Sequence, residues 1–142
     1  MFLKLLTDEE KRLFLNLAIY IASVDNDFTD KEKEKIKVFC KEMEIECENF
    51  ITKLSLNDVL DKLNFLEVFK KKIVLLEIVC LMLVDGLVKE EEKVLDQMIE
   101  KFGLDISLKD KMIKWCQKYN QILLEGYLLI GEEVRNGWFR KI

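Results

Sequence analysis

The chain predicts an all-α fold, a compact bundle of about seven helices, and three observations carry that expectation. The 142 residues include no proline and only five glycines. Proline removes a backbone donor and clashes with the preceding turn, so its absence leaves long helices uninterrupted. Apolar residues recur at spacings of three and four, the period of a helix face. Hydroxyl residues are also followed three positions later by an acid, so that side chain and backbone cap each other at a helix start.

The first helix, 8–25, opens on Thr7-Asp8-Glu9-Glu10 and is apolar nearly all round from Leu13 to Val24, as suits the centre of a bundle. The second, 30–43, opens on Thr29 and Glu32 and lines up Ile36, Phe39, Cys40 and Met43. Short helices at 47–54 and 56–64 follow, the latter started by Ser55, Asn57 and Asp58. The fifth, 67–85, holds the apolar run from Ile73 to Val84, broken by Glu77. The sixth, 90–102, aligns Val94, Leu95, Met98, Ile99 and Phe102 and stops at Gly103, a residue suited to the left-handed turn after a helix. The seventh, 108–134, begins at Ser107 and Asp110. It presents Met112, Cys116, Tyr119, Leu123, Tyr127 and Ile130 as a core stripe, with Gly137 available to end it. Short connections make residues 1–142 a single domain.

Two of the connections say nearly the same thing. Ala22-Ser-Val-Asp-Asn-Asp-Phe-Thr-Asp-Lys-Glu32 and Met82-Leu-Val-Asp-Gly-Leu-Val-Lys-Glu-Glu-Glu92 share Val-Asp-[Asn/Gly]-x-apolar-x-acid-x-Glu. Asp25 and Asp85 stand 60 positions apart, as do Glu32 and Glu92. Each phrase joins an apolar helix to an amphipathic one, so the chain contains two repeated helix–turn–helix hairpins. Phe28 and Val88 are placed to plug the two turns into the core.

Several function classes fall away on composition. Without histidine, no Ser-His-Asp or Cys-His catalytic arrangement and no His-containing zinc site can form. The net charge is −4, and the acidic excess lies in the first 104 residues, with 16 basic against 22 acidic side chains. That leaves no clustered basic face for nucleic acid. The four cysteines include no C-x-x-C pair and lie in apolar stretches, where they read as buried, reduced thiols. The longest apolar runs are about a dozen residues, short of the roughly 20 that span a bilayer. No signal-peptide pattern opens the chain, so a cytoplasmic location is expected.

The acids of the doubled phrase admit two readings. In one they satisfy turn amides and cap the following helix. In the other, Asp25, Asp27, Glu32, Asp85 and Glu92 hold a divalent cation, since Ca²⁺ and Mg²⁺ favour carboxylate oxygens; Asp30, Glu90 and Glu91 are further candidates. The phrase is not an EF-hand: counted from Asp25, the glycine position falls on Asp30 and the twelfth on Ile36. An enzyme built on paired carboxylates would need a nucleophile or phosphate loop beside them, and none is present.

The two phrases with their flanking helices, over residues 13–45 and 73–104, resemble the TerB-like domain family. Val84-Asp85-Gly86-Leu87-Val88 with Glu92 matches best; the first copy has Asn26 in place of the usual glycine, and Leu87 stands where the first copy has Asp27. The resemblance implies an all-helical, cytoplasmic, non-enzymatic binding or scaffold domain. It further implies a metal-binding acidic cluster and a role in bacterial tellurite resistance or stress defence, with protein partners in complexes near the inner membrane. The alternative is a structural protein–protein interaction module whose acids only cap helices.

Three further features bear on function. Glu77 needs a partner if it is buried. Lys70-Lys71-Lys72 reads as a solvated helix start. Trp138 and Phe139 in the tail are expected to fold back on the bundle.

Overall fold

The computed structural model describes residues 1–24, 28–47, 54–84 and 86–131. Among these are six α-helices and no strand: α1 (Asp8–Ser23), α2 (Asp30–Met43), α3 (Leu56–Leu63), α4 (Val68–Met82), α5 (Lys89–Lys101) and α6 (Ser107–Leu129), preceded by a 3-10 turn at Leu3–Leu5. The all-α expectation holds. The short helix expected at 47–54 falls largely outside the described residues; Cys47 and Leu54 at its edges are not helical.

The helix starts follow the hydroxyl–acid signals. Thr7 and Thr29 each accept a hydrogen bond from the backbone N–H three residues on, while Glu10 and Glu32 accept from the backbone N–H of the cap residue. Ser55 caps α3 through Asp58 N–H. Two ends rest on left-handed residues. Gly103, at φ 65°, closes α5, with Leu104 N–H reaching Ile99 C=O at 3.0 Å. Glu44, at φ 58°, closes α2 in the same way, with Ile45 N–H on Cys40 C=O at 3.1 Å.

The core forms around α1 and α4. Phe14, Leu17, Ala18, Ile21 and Ala22 of α1 are fully buried, as are Val74, Leu75, Ile78 and Leu81 of α4. Phe14 meets Phe39 of α2 edge-on, with ring centroids 5.2 Å apart. Such T-shaped contact is the arrangement the ring quadrupoles favour.

The last helix differs from its expected form. It ends at Leu129 rather than 134, because Gly131 adopts φ 76° and its N–H turns back to Leu128 C=O at 3.2 Å. Only Met112 and Cys116 of the expected stripe are buried; Tyr119, Leu123 and Tyr127 are half-buried and Ile130 is exposed. Length explains this. At 1.5 Å per residue, α6 runs about 34 Å against about 22 Å for α4, the helix it packs on, so its second half outreaches its support.

Candidate functional site

The α1–α2 and α4–α5 pairs match in burial, but the offset between them changes from the first helix to the second. Residues Phe14, Leu17, Ala18, Ile19, Ile21 and Ala22 of α1 correspond, 60 positions on, to Val74, Glu77, Ile78, Val79, Leu81 and Met82 of α4, all buried. In the second arms the offset is 59: Glu32, Ile36, Phe39, Cys40 and Met43 answer to Glu91, Leu95, Met98, Ile99 and Phe102, again all buried. Leu87, not Val88, therefore packs on the core in the position of Phe28.

The glutamates follow this shift. Glu32 and Glu91 each occupy the third position of their helix, and each is 4% exposed. Glu92, the partner of Glu32 by letter matching, lies one position round the helix and faces α6. Its carboxylate accepts a hydrogen bond from Lys109 Nζ at 2.6 Å; the same ammonium donates to Asp96 at 2.9 Å, tying α5 to the start of α6. Burial lowers the Lys109 pKa, but the hydrogen bonds and charges of Glu92 and Asp96 outweigh it and hold the group above its ordinary value.

Glu32 is committed to its cap. Its Oε1 accepts from the N–H and the hydroxyl of Thr29, both at 3.1 Å, while Thr29 Oγ accepts from Glu32 N–H at 3.1 Å. The second hairpin has no such box, because Val88 at the cap position carries no acceptor. Asp25, Asp27 and Asp85, three further candidate ligands, lie outside the described residues. Among the described residues, no three cysteine or acidic side chains gather to hold a metal ion. Of the candidate glutamates, Glu32 thus serves a helix cap and Glu92 an ion pair.

Glu77 has the partner its burial demands. At 1% exposure it accepts from the Met1 amino group and from Phe2 N–H through one oxygen, both at 2.9 Å. Glu42 of α2 takes the same amino group at 2.7 Å and Leu3 N–H at 3.0 Å. Two carboxylates from two helices thereby dock the Leu3 turn, and Phe2 reaches Trp115 of α6 with ring centroids 6.2 Å apart. Spacing within the chain gives no hint that Glu42 and Glu77 converge.

Of the three consecutive lysines, Lys70 is paired rather than solvated: its Nζ donates to both oxygens of Glu10, at 2.8 and 3.1 Å, joining α4 to α1. Burial raises the Glu10 pKa, but Lys70 and the Thr7 backbone more than offset it, holding the carboxyl below the usual range. Lys71 lies over the Phe102 ring, 5.9 Å from its centroid. Trp138 and Phe139 lie outside the described residues.

The most conspicuous exposed apolar surface among the described residues is on the second half of α6. Trp115, Tyr119, Ile122, Gly126 and Leu129 follow one another at spacings of four and three. Trp115 is 39%, Ile122 67% and Leu129 87% exposed. Trp115 and Tyr119 stack, with centroids 5.7 Å apart and planes at 14°. This seam borders the Met112–Cys116 face that packs on α4, and half-buried Tyr119 stands on the boundary between them. The cysteines are free thiols; Cys40, Cys80 and Cys116 are buried and Cys47 is half-buried. The chain matches no protein-family model, no curated protein and no solved structure.

Proposed function

We propose that this chain is a non-enzymatic protein-interaction module that binds a partner through the outer seam of α6. One observation carries this: five residues spaced as a helix-pairing seam lie on a helix that extends past its own bundle. Exposed apolar stripes of this kind mark interaction surfaces, and the alternating spacing of four and three suits a partner helix. The acids described at the helix starts are consistent with this reading, since Glu32 serves a cap and Glu92 an ion pair. The bacterial stress setting, in the cytoplasm or against the inner membrane, rests on the resemblance to TerB-like domains. No helix among the described residues is long and apolar enough to cross a membrane.

Site-specific photo-crosslinking in cells of the source organism tests it. A crosslinker replacing Ile122 is expected to give a discrete protein adduct; the same group at Gln117, exposed on the far side of α6, is not. Equal labelling from both positions, or none from Ile122, contradicts the reading.

A second reading, divalent-cation binding, is favoured by Glu32 and Glu91 standing buried at matching positions, a few residues after Asp25, Asp27 and Asp85 in sequence. Ca²⁺, Mg²⁺ or Mn²⁺ at a hundred times its Kd would stabilise the fold by about 2.7 kcal/mol. A rise in melting temperature that is lost on Asp25→Asn with Asp85→Asn supports this reading; an unchanged melting temperature with all three ions eliminates it.

A further inference from the structure

Two thiols lie closer together than packing alone requires. Cys80 of α4 and Cys116 of α6, 36 residues apart, place their Sγ atoms 2.7 Å from each other. Non-bonded heavy atoms ordinarily rest at roughly 3.5–4.0 Å. We propose that Cys80 and Cys116 are an oxidisable pair that a hydroperoxide converts to an intramolecular disulfide, fastening α6 to α4. The inference does not depend on the proposed partner surface, although the helix it fastens is the one that carries that surface.

The environment divides the roles. Cys116 is fully buried, whereas Cys80 is 8% exposed and is the less enclosed residue of the pair. The hydrogen bond from Cys116, aided by Lys35 and the Met1 amino group, holds Cys80 below the usual thiol pKa against burial and Glu77. Sharing its proton with Cys80, together with burial, pushes Cys116 up. Thiolate character selects the attacking sulfur. As the less buried of the two, Cys80 is assigned the role of nucleophile and Cys116 that of resolving thiol.

The chemistry closes in two steps. The Cys80 thiolate attacks one peroxide oxygen and the O–O bond breaks, leaving a sulfenic acid and, after protonation, water or an alcohol. Cys116 sulfur then attacks Cys80 sulfur, the S–O bond breaks, and the departing hydroxide takes the Cys116 proton as water. Two thiols lose two electrons, and the peroxide oxygens gain them. A dithiol reductant reverses the change by exchange.

The consequence is mechanical. Met112 and Cys116 are the only buried residues of α6, so a bond at Cys116 pins the helix where its hold on the bundle is centred. Closing a loop between residues 80 and 116 is expected to raise the melting temperature by about 10 °C.

Intact and peptide mass spectrometry of the whole chain after dilute hydrogen peroxide tests the pair. The expected product is lighter by two hydrogens, yields a linked Cys80–Cys116 peptide, melts higher and reverts with dithiothreitol. In Cys116→Ser the reaction should stop at a Cys80 sulfenic acid that dimedone traps. If the wild-type protein instead keeps both thiols open to alkylation after unfolding, or links Cys40 to Cys47, the proposal is wrong. Because those measurements use the wild type, they stand even if a cysteine variant folds poorly.

Discussion

At the scale of single residues, the two helix starts after the turns differ by one side chain. Thr29 completes a reciprocal cap with Glu32; Val88 faces Glu91 in the same relative position and has no oxygen to offer. Thr29→Ala should therefore cost about 1 kcal/mol, and Val88→Thr should recover up to about that amount by building the missing box. Urea unfolding measures both. Equal and opposite changes of this kind would also verify the 59-residue offset, since a 60-residue offset aligns Thr29 with Lys89 instead. Glu44 makes a complementary case. Its left-handed backbone costs a side-chain-bearing residue about 1 kcal/mol relative to glycine, so Glu44→Gly should stabilise the protein by roughly that much.

The same scale shows why the acids were harder to read than the caps. A capping box is local: the hydroxyl, the acid and the three-residue spacing all sit in one turn, and Thr7 and Thr29 behaved as their sequence implied. Pairing Glu32 with Glu92 relied on matching letters through a turn, and three consecutive glutamates at 90–92 conceal a slip of one. Burial resolves it, because a one-residue slip rotates a side chain by about 100° around the helix. A pattern that counted the apolar positions of α5 against those of α2 could have found Glu91.

Among the elements, ion pairs join helices distant in sequence, and their titration is observable. Lys70 binds Glu10 at a mostly buried junction of α1 and α4, and the folded Glu10 pKa lies below its ordinary value. A carboxylate of this kind adds stability that is present above its unfolded pKa, near 4.5, and lost as pH falls through the lower folded value. The stability gap between wild type and Glu10→Gln should accordingly be widest at neutral pH and shrink on acidification below that range. Denaturant titrations at several pH values measure it.

Element boundaries were largely legible because proline-free, capped, periodic segments leave few alternatives. The bounds of α2 agree with those expected, while α6 is shorter because a glycine expected to lie within it takes a left-handed conformation. Contacts between elements were not legible. The clamp of Glu42 and Glu77 on the Leu3 turn, and the approach of Cys80 to Cys116, arise from packing between helices more than 30 residues apart.

For the whole molecule, the central question is which surface carries function. The sequence directs attention to the acid-rich phrases; the structure adds a long helix whose second half presents Ile122 and Leu129 uncovered by the bundle. Burial distinguishes the two. A core residue such as Leu75 should cost about 2–5 kcal/mol on truncation to alanine, whereas Ile122, at 67% exposure, should change stability by no more than about 0.5 kcal/mol. Apolar side chains that stability does not require are available for a partner.

The most direct measurement is the native size of the protein in extracts of its source cells, wild type against Ile122→Lys with Leu129→Lys, alongside the melting temperature of each purified chain. An interaction module working through α6 should lose its high-mass complex in the double variant while melting within a few degrees of wild type. A double variant that melts normally and still elutes with the wild-type complex would contradict the assignment of function to this seam.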